Sequence, residues 1–132
     1  MNDISPNLKE QLKTLGVSLV YLFGSQAENF EMPESDLDIG VLMDKAPDVS
    51  EVGKIYNELY NIFSDIFPSQ KIDLVLLDQV GLELRLDVIN HSRLIYELVP
   101  GKHLDFEEET SIMYSDFQPI LRDYDRAILR RI

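Results

Sequence analysis

The chain has 132 residues, no cysteine and a formal net charge of −12. This length matches about one ordinary domain, so residues 1–132 are expected to form a single domain with room for a donor site but not for a separate acceptor domain. Without cysteine there are no disulfides, thiolate metal sites or cysteine nucleophile; the acidity disfavours direct nucleic-acid binding, which needs a basic footprint, and favours a basic protein partner.

Met1 to Pro6 holds no basic segment leading into an apolar run, so no secretion signal is expected. No stretch approaches the ~20 apolar residues of a membrane helix. The expected compartment is the cytoplasm, with no membrane contact. Ser5-Pro6 opens a first helix, because serine caps and proline suits the first turn. Leu8, Leu12 and Leu15 keep helical spacing, and Gly16 can end the helix. Val17 to Phe23 is almost continuously apolar and reads as a strand buried on both faces.

Residues 24–35 are a polar loop of functional length, with room for one helical turn. A second strand is expected from Asp36 to Met43, and a turn from Lys45 to Asp48. The apolar face of Val49, Val52, Ile55, Tyr56, Leu59, Tyr60, Ile62, Phe63 and Phe67 predicts a helix that Pro68 stops. Lys71 to Leu77 reads as a third strand, Gly81 to His91 as a helix and Leu94 to Leu98 as a short edge strand. Residues 104–131 read as a final helix, or a helix pair broken near Pro119. The order α-β-β-α-β-α-β-α predicts an α/β (α+β) domain with a mixed β-sheet flanked by helices.

Three acids and a Gly-Ser turn carry the chemistry. Asp36 and Asp38 lie two apart on the expected strand, so both carboxylates project from one face. Close carboxylates repel when both ionise, and a cation relieves that repulsion. Oxygen ligands of this kind suit Mg²⁺, which takes one or two carboxylates plus substrate phosphates. Gly24 lets backbone approach a phosphate closely, and Ser25 can donate to a phosphate oxygen. Asp73 is a lone acid inside an apolar strand, where an unpaired carboxylate is costly. If that strand lies beside the second, Asp73 joins the other two and two metal ions could be held.

Other polar residues read as ordinary first. His91 and His103 are too few and too scattered for a zinc site or a catalytic triad. Lys71, Arg85 and Arg93 read as surface charges that could reach a phosphate or a partner. Glu107 to Glu109 reads as an acidic helix start, with a basic partner surface as the other reading.

The run Leu22-Phe23-Gly24-Ser25, with Ser35-Asp36-Leu37-Asp38-Ile39 beyond the loop, resembles the signature of the polymerase-beta-like nucleotidyltransferases. More closely, the chain resembles the minimal nucleotidyltransferases, or MNT proteins, antitoxins encoded beside HEPN-domain ribonuclease toxins. The resemblance covers nearly the whole chain, including Tyr114 to Ile120. It implies the nucleotidyltransferase fold, ATP and magnesium as the donor system, and transfer of AMP to a tyrosine of the HEPN toxin within a hetero-oligomer. Carried onto this chain, it assigns the triphosphate to Gly24 and Ser25 and magnesium to Asp36 and Asp38. Asp73 would complete the metal site and favour the deprotonated attacking hydroxyl. The family often carries arginines just after Gly-Ser, whereas this chain has Gln26 and Glu28. That difference, with the net charge of −12, keeps open an antitoxin acting mainly by binding, and the acidic surface, which suits cationic drugs, keeps open a small-molecule transferase of the aminoglycoside type.

Overall fold

The computed structural model describes residues 4–23 and 36–129. Four helices, α1 (Pro6–Leu15), α2 (Val49–Ile66), α3 (Leu82–Asn90) and α4 (Lys102–Leu129), surround four strands, β1 (Val17–Phe23), β2 (Leu37–Met43), β3 (Ile72–Leu76) and β4 (Arg93–Glu97). A 3-10 turn (Leu77–Gln79) joins β3 to α3. Among the described residues no helix is long and apolar enough to cross a membrane.

The ends of α1 follow from local chemistry. The Ser5 hydroxyl accepts from the Leu8 N–H at 3.3 Å, and Pro6 occupies the first turn, where its missing donor costs nothing. Gly16 closes the helix at φ 91°, and its N–H reaches the carbonyls of Leu12 and Lys13. That left-handed conformation is one glycine adopts without strain.

The strands lie in the order β3-β2-β1-β4. β1 is antiparallel to both β2 and β4, and β2 is parallel to β3, so the sheet is mixed as the sequence implies. β1 is central, which explains its continuous apolar run: Val17, Val20 and Leu22 join one core, while Leu19 and Tyr21 join another. The first core lies against α1 and α2 and takes in Leu12, Leu59, Phe63, Leu37, Ile39 and Val41. The second lies on the opposite face, where Leu77, Val88 and Phe106 pack from the 3-10 turn, α3 and α4.

Most boundaries fall one or two residues from the sequence reading, as at β3, where Leu77 belongs to the 3-10 turn, and at β4, which runs one residue earlier than expected; two differences matter more. β2 begins at Leu37, so Asp36 sits one residue before the strand. α4 is one helix of 28 residues that runs through Pro119. Proline inside a helix removes one i→i−4 hydrogen bond. Here it falls where the side chains face solvent, so water can take the freed Ser115 carbonyl.

Candidate active site

The site is built at the sheet end where β1 finishes and β2 and β3 begin. Phe23 pairs with Asp38 across the β1–β2 ladder, and Asp38 pairs with Asp73 across the β2–β3 ladder. Leu37 donates its N–H to the Lys71 carbonyl at 2.8 Å, fixing the start of both strands. Leu37 and Ile39 turn into the α1/α2 core. Alternation along the strand therefore turns Asp38 to the α3/α4 face, and β3 does the same for Asp73.

This register brings two carboxylates side by side. Burial pushes the Asp38 carboxyl above its ordinary value; the charge of Asp73, a side-chain hydrogen bond with Asp73 and the charge of Asp36 push it further. Asp38 is half-buried, whereas Asp36 and Asp73 are exposed. Two carboxyls can share a hydrogen bond only if one holds a proton, so the pair is an acid cluster set against itself.

Among the described residues no three His, Asp or Glu side chains close into a cage that would hold an ion unaided. Magnesium does not need one, because it keeps waters and completes its shell with substrate phosphates. Hard carboxylate oxygens, crowded and turned to the open end of the sheet, fit an ion that arrives with its nucleotide.

The structure thus unites Asp38 with Asp73 and sets Asp36 close enough for its charge to be felt. Gly24 and Ser25 lie outside the described residues, as do Gln26 and Glu28. In sequence, Gly24 directly follows Phe23, the residue paired with Asp38.

The remaining candidates have structural partners. Arg85 donates through Nε to the Leu77 carbonyl at 3.0 Å, and its charge steadies Asp78, so it serves the fold at the opposite end of the sheet. His91 follows the last turn of α3, 3.8 Å from Asp87. His103 pairs with Glu97. Arg93 pairs with Leu22 near the site end. Two polar anchors went unread in the sequence: Asp78, which accepts from the Met43 N–H at 2.9 Å, and Glu97, which accepts from Gly101 at 2.8 Å and from the His103 N–H at 3.2 Å. A cleft of about 560 Å³ between α1 and α2 lies on the other face of the sheet and shares no residue with the acids.

An acid pair on adjacent parallel strands, with a third acid two residues upstream, has the donor chemistry that suits a cation and the phosphates it brings. Residues 6–99 match the family model described as polymerase beta, nucleotidyltransferase, and the chain belongs to that family. No curated protein sequence matches it. A chain from the complex of tri-AMPylated Shewanella oneidensis HEPN toxin with MNT antitoxin aligns with a TM-score of 0.62 at 19% identity, covering 93% of this chain and 97% of that chain. A chain from a toxin–antitoxin complex with AMP-PNP aligns at 0.64 and 21% identity, covering 92% and 98%. A third, from the MntA-HpeT toxin–antitoxin carrying two Asp-to-Glu changes two positions apart, aligns at 0.63 and 20% identity, covering 92% and 98%. At these identities the likeness is one of fold.

Proposed function

We propose that the chain, acting as a single minimal nucleotidyltransferase domain, is the antitoxin of a HEPN-domain ribonuclease and transfers AMP from ATP to a tyrosine of that partner. The observation that carries this reading is the in-register pairing of Asp38 with Asp73, with Asp36 beside them, at the end of β1. Family membership supports nucleotidyl transfer. The shared fold supports the partner and the donor, since chains of this fold occur in HEPN–MNT complexes, one tri-AMPylated and another with AMP-PNP.

In the proposed reaction the tyrosine oxygen attacks the α-phosphorus of ATP. The new bond is oxygen to α-phosphorus, the α–β anhydride bond breaks, and pyrophosphate leaves. Asp36 and Asp38 would hold magnesium, with Asp73 completing a site for two ions. Bound there, magnesium neutralises charge on the phosphates and on the departing pyrophosphate. Asp73, exposed beside Asp38, favours loss of the tyrosine proton, as base or by the position of its charge. Gly24 and Ser25 would receive the triphosphate. Leu19, Tyr21 and Phe106 pack on the same face of the sheet as the acids, further along β1 from the site end.

The test is incubation of the chain with labelled ATP, Mg²⁺ and the HEPN-domain protein encoded beside it. The toxin should take up label, and Asp36→Ala with Asp38→Ala should abolish the labelling. An unlabelled toxin, or equal labelling by the double variant, would overturn the proposal.

A further inference from the structure

Helix α4 outruns the domain it packs on. It begins at the end of the sheet remote from the acids, where His103 pairs with Glu97 and Glu97 faces Leu19 on β1. One turn later the Phe106 ring meets the Tyr21 ring, and the Tyr21 hydroxyl donates to Glu107 at 3.1 Å. Four helix residues have thus covered the same ground as two strand residues, about 6 Å in each case. The helix therefore runs along β1 towards the acids. At that rate it draws level with the Phe23–Asp38 pair near residue 112. The helix ends at Leu129, so about 25 Å of it overhangs the site end.

Burial tells the same story. Phe106 and Thr110 are buried, and no described side chain beyond Thr110 is. The stripe that buries them does not stop there. Phe106, Thr110, Met113, Phe117 and Ile120 follow at spacings of four, three, four and three, which keeps one face of a helix. Its outer members are 43%, 49% and 61% exposed at Met113, Phe117 and Ile120. The core-facing stripe runs out of the described core and continues, exposed, past the acid end of the sheet. A helix owes most of its stability to packing of its apolar face, so this half needs a neighbour.

We infer that the outer half of α4 is the docking arm for the protein acceptor, seated in an apolar groove of that partner with basic residues at its margin. The inference rests on the proposed transfer to a HEPN toxin and adds where the toxin is gripped. Two observations favour that occupant. Asp105, Glu108, Glu109 and Asp116 flank the stripe, with no Lys or Arg between His103 and Arg122, and the whole chain carries −12. A basic surface is the complement. Further, a partner held under the arm lies against the end of the sheet where Asp38 and Asp73 open, so one contact both captures the acceptor and presents it.

The test compares the wild-type full chain with Phe117→Asp/Ile120→Asp. We expect affinity for the adjacent HEPN protein to fall about 1,000-fold, the scale of two interface hot spots. The KM for the toxin should rise while kcat at saturation and AMP-PNP binding stay unchanged. Phe117→Ala/Ile120→Ala should show the same direction while keeping helix propensity, which covers fraying of the arm. Unchanged toxin affinity in both variants overturns the inference. So does a fall in the free variant's Tm, which would mean the chain covers the stripe itself. A wild-type dimer in sedimentation that the variant loses would assign the stripe to a second copy and overturns it equally. A wild-type chain that binds toxin through the arm but never labels it would refute the transferase reading and leave the docking result standing.

Discussion

The two ends of the sheet treat their charges in opposite ways. At the end remote from the acids, Asp78 accepts the Met43 N–H and is steadied by Arg85, and Glu97 accepts two backbone N–H groups and pairs with His103. At the other end, Asp38 is set against Asp73 and Asp36, and these like charges raise its pKa on top of burial. Buried or crowded polar groups are normally partnered within the chain. An end that satisfies its acids internally holds the fold together. An end that sets its acids against one another is shaped for something the described residues do not supply, and that contrast is what singles out this end as the candidate site.

The comparison breaks first in catalysis. Asp38→Ala should lower AMP transfer about 10³-fold or more, the scale on which loss of charge stabilisation acts, while leaving the thermal midpoint of the free chain no lower than wild type. Single-turnover transfer beside a melting curve checks both halves. The mirror experiment is Asp78→Ala, which leaves the Met43 N–H without its acceptor. It should cost about 2 kcal/mol, or about 7 °C in Tm, with transfer per folded molecule unchanged.

Glu97 gives a smaller effect with a pH signature. Burial raises its pKa, but hydrogen bonds from His103 and Gly101 outweigh it and bring the carboxyl below its ordinary 4.5. A depressed acid stabilises the fold above its unfolded value, and that stability is lost as pH falls through the folded value. Glu97→Gln should therefore cost about 1 kcal/mol at neutral pH, and the gap from wild type should close in acid. Asp38 has the opposite sign. Its folded pKa lies above 3.8, so the folded chain holds more protons than the unfolded one in that window, and stability falls as pH rises through it. Asp38→Asn should raise the midpoint of the metal-free chain by about 2 °C at pH 7, a shift kept small by solvent screening.

Much of this was legible in the sequence because it is periodic or local. The burial of β1 on both faces, the Ser5 and Gly16 ends of α1 and the α-β-β-α-β-α-β-α order follow from hydrophobic pattern and turn chemistry. The three acids stood out as a candidate site because a lone Asp73 in an apolar strand demands a reason. Its pairing with Asp38 was conditional on strand order, which periodicity does not give. Asp78 was unreadable for the same cause: it lies in the 3-10 turn, and its partner Met43 is 35 residues away on β2. The continuity of α4 through Pro119 was also hidden, since proline's cost depends on whether water can reach the freed carbonyl. Gly24 and Ser25 remain sequence assignments, outside the described residues.

The most direct measurement is the thermal midpoint of wild type and Asp38→Asn, each with and without Mg²⁺ and AMP-PNP at pH 7. A ligand that binds the folded state raises the midpoint by mass action. The account predicts a clear rise for wild type with Mg²⁺ and AMP-PNP together and almost none for Asp38→Asn. An equal rise in both proteins, or none in wild type, would contradict the claim that the crowded acids exist to receive a metal-bound nucleotide.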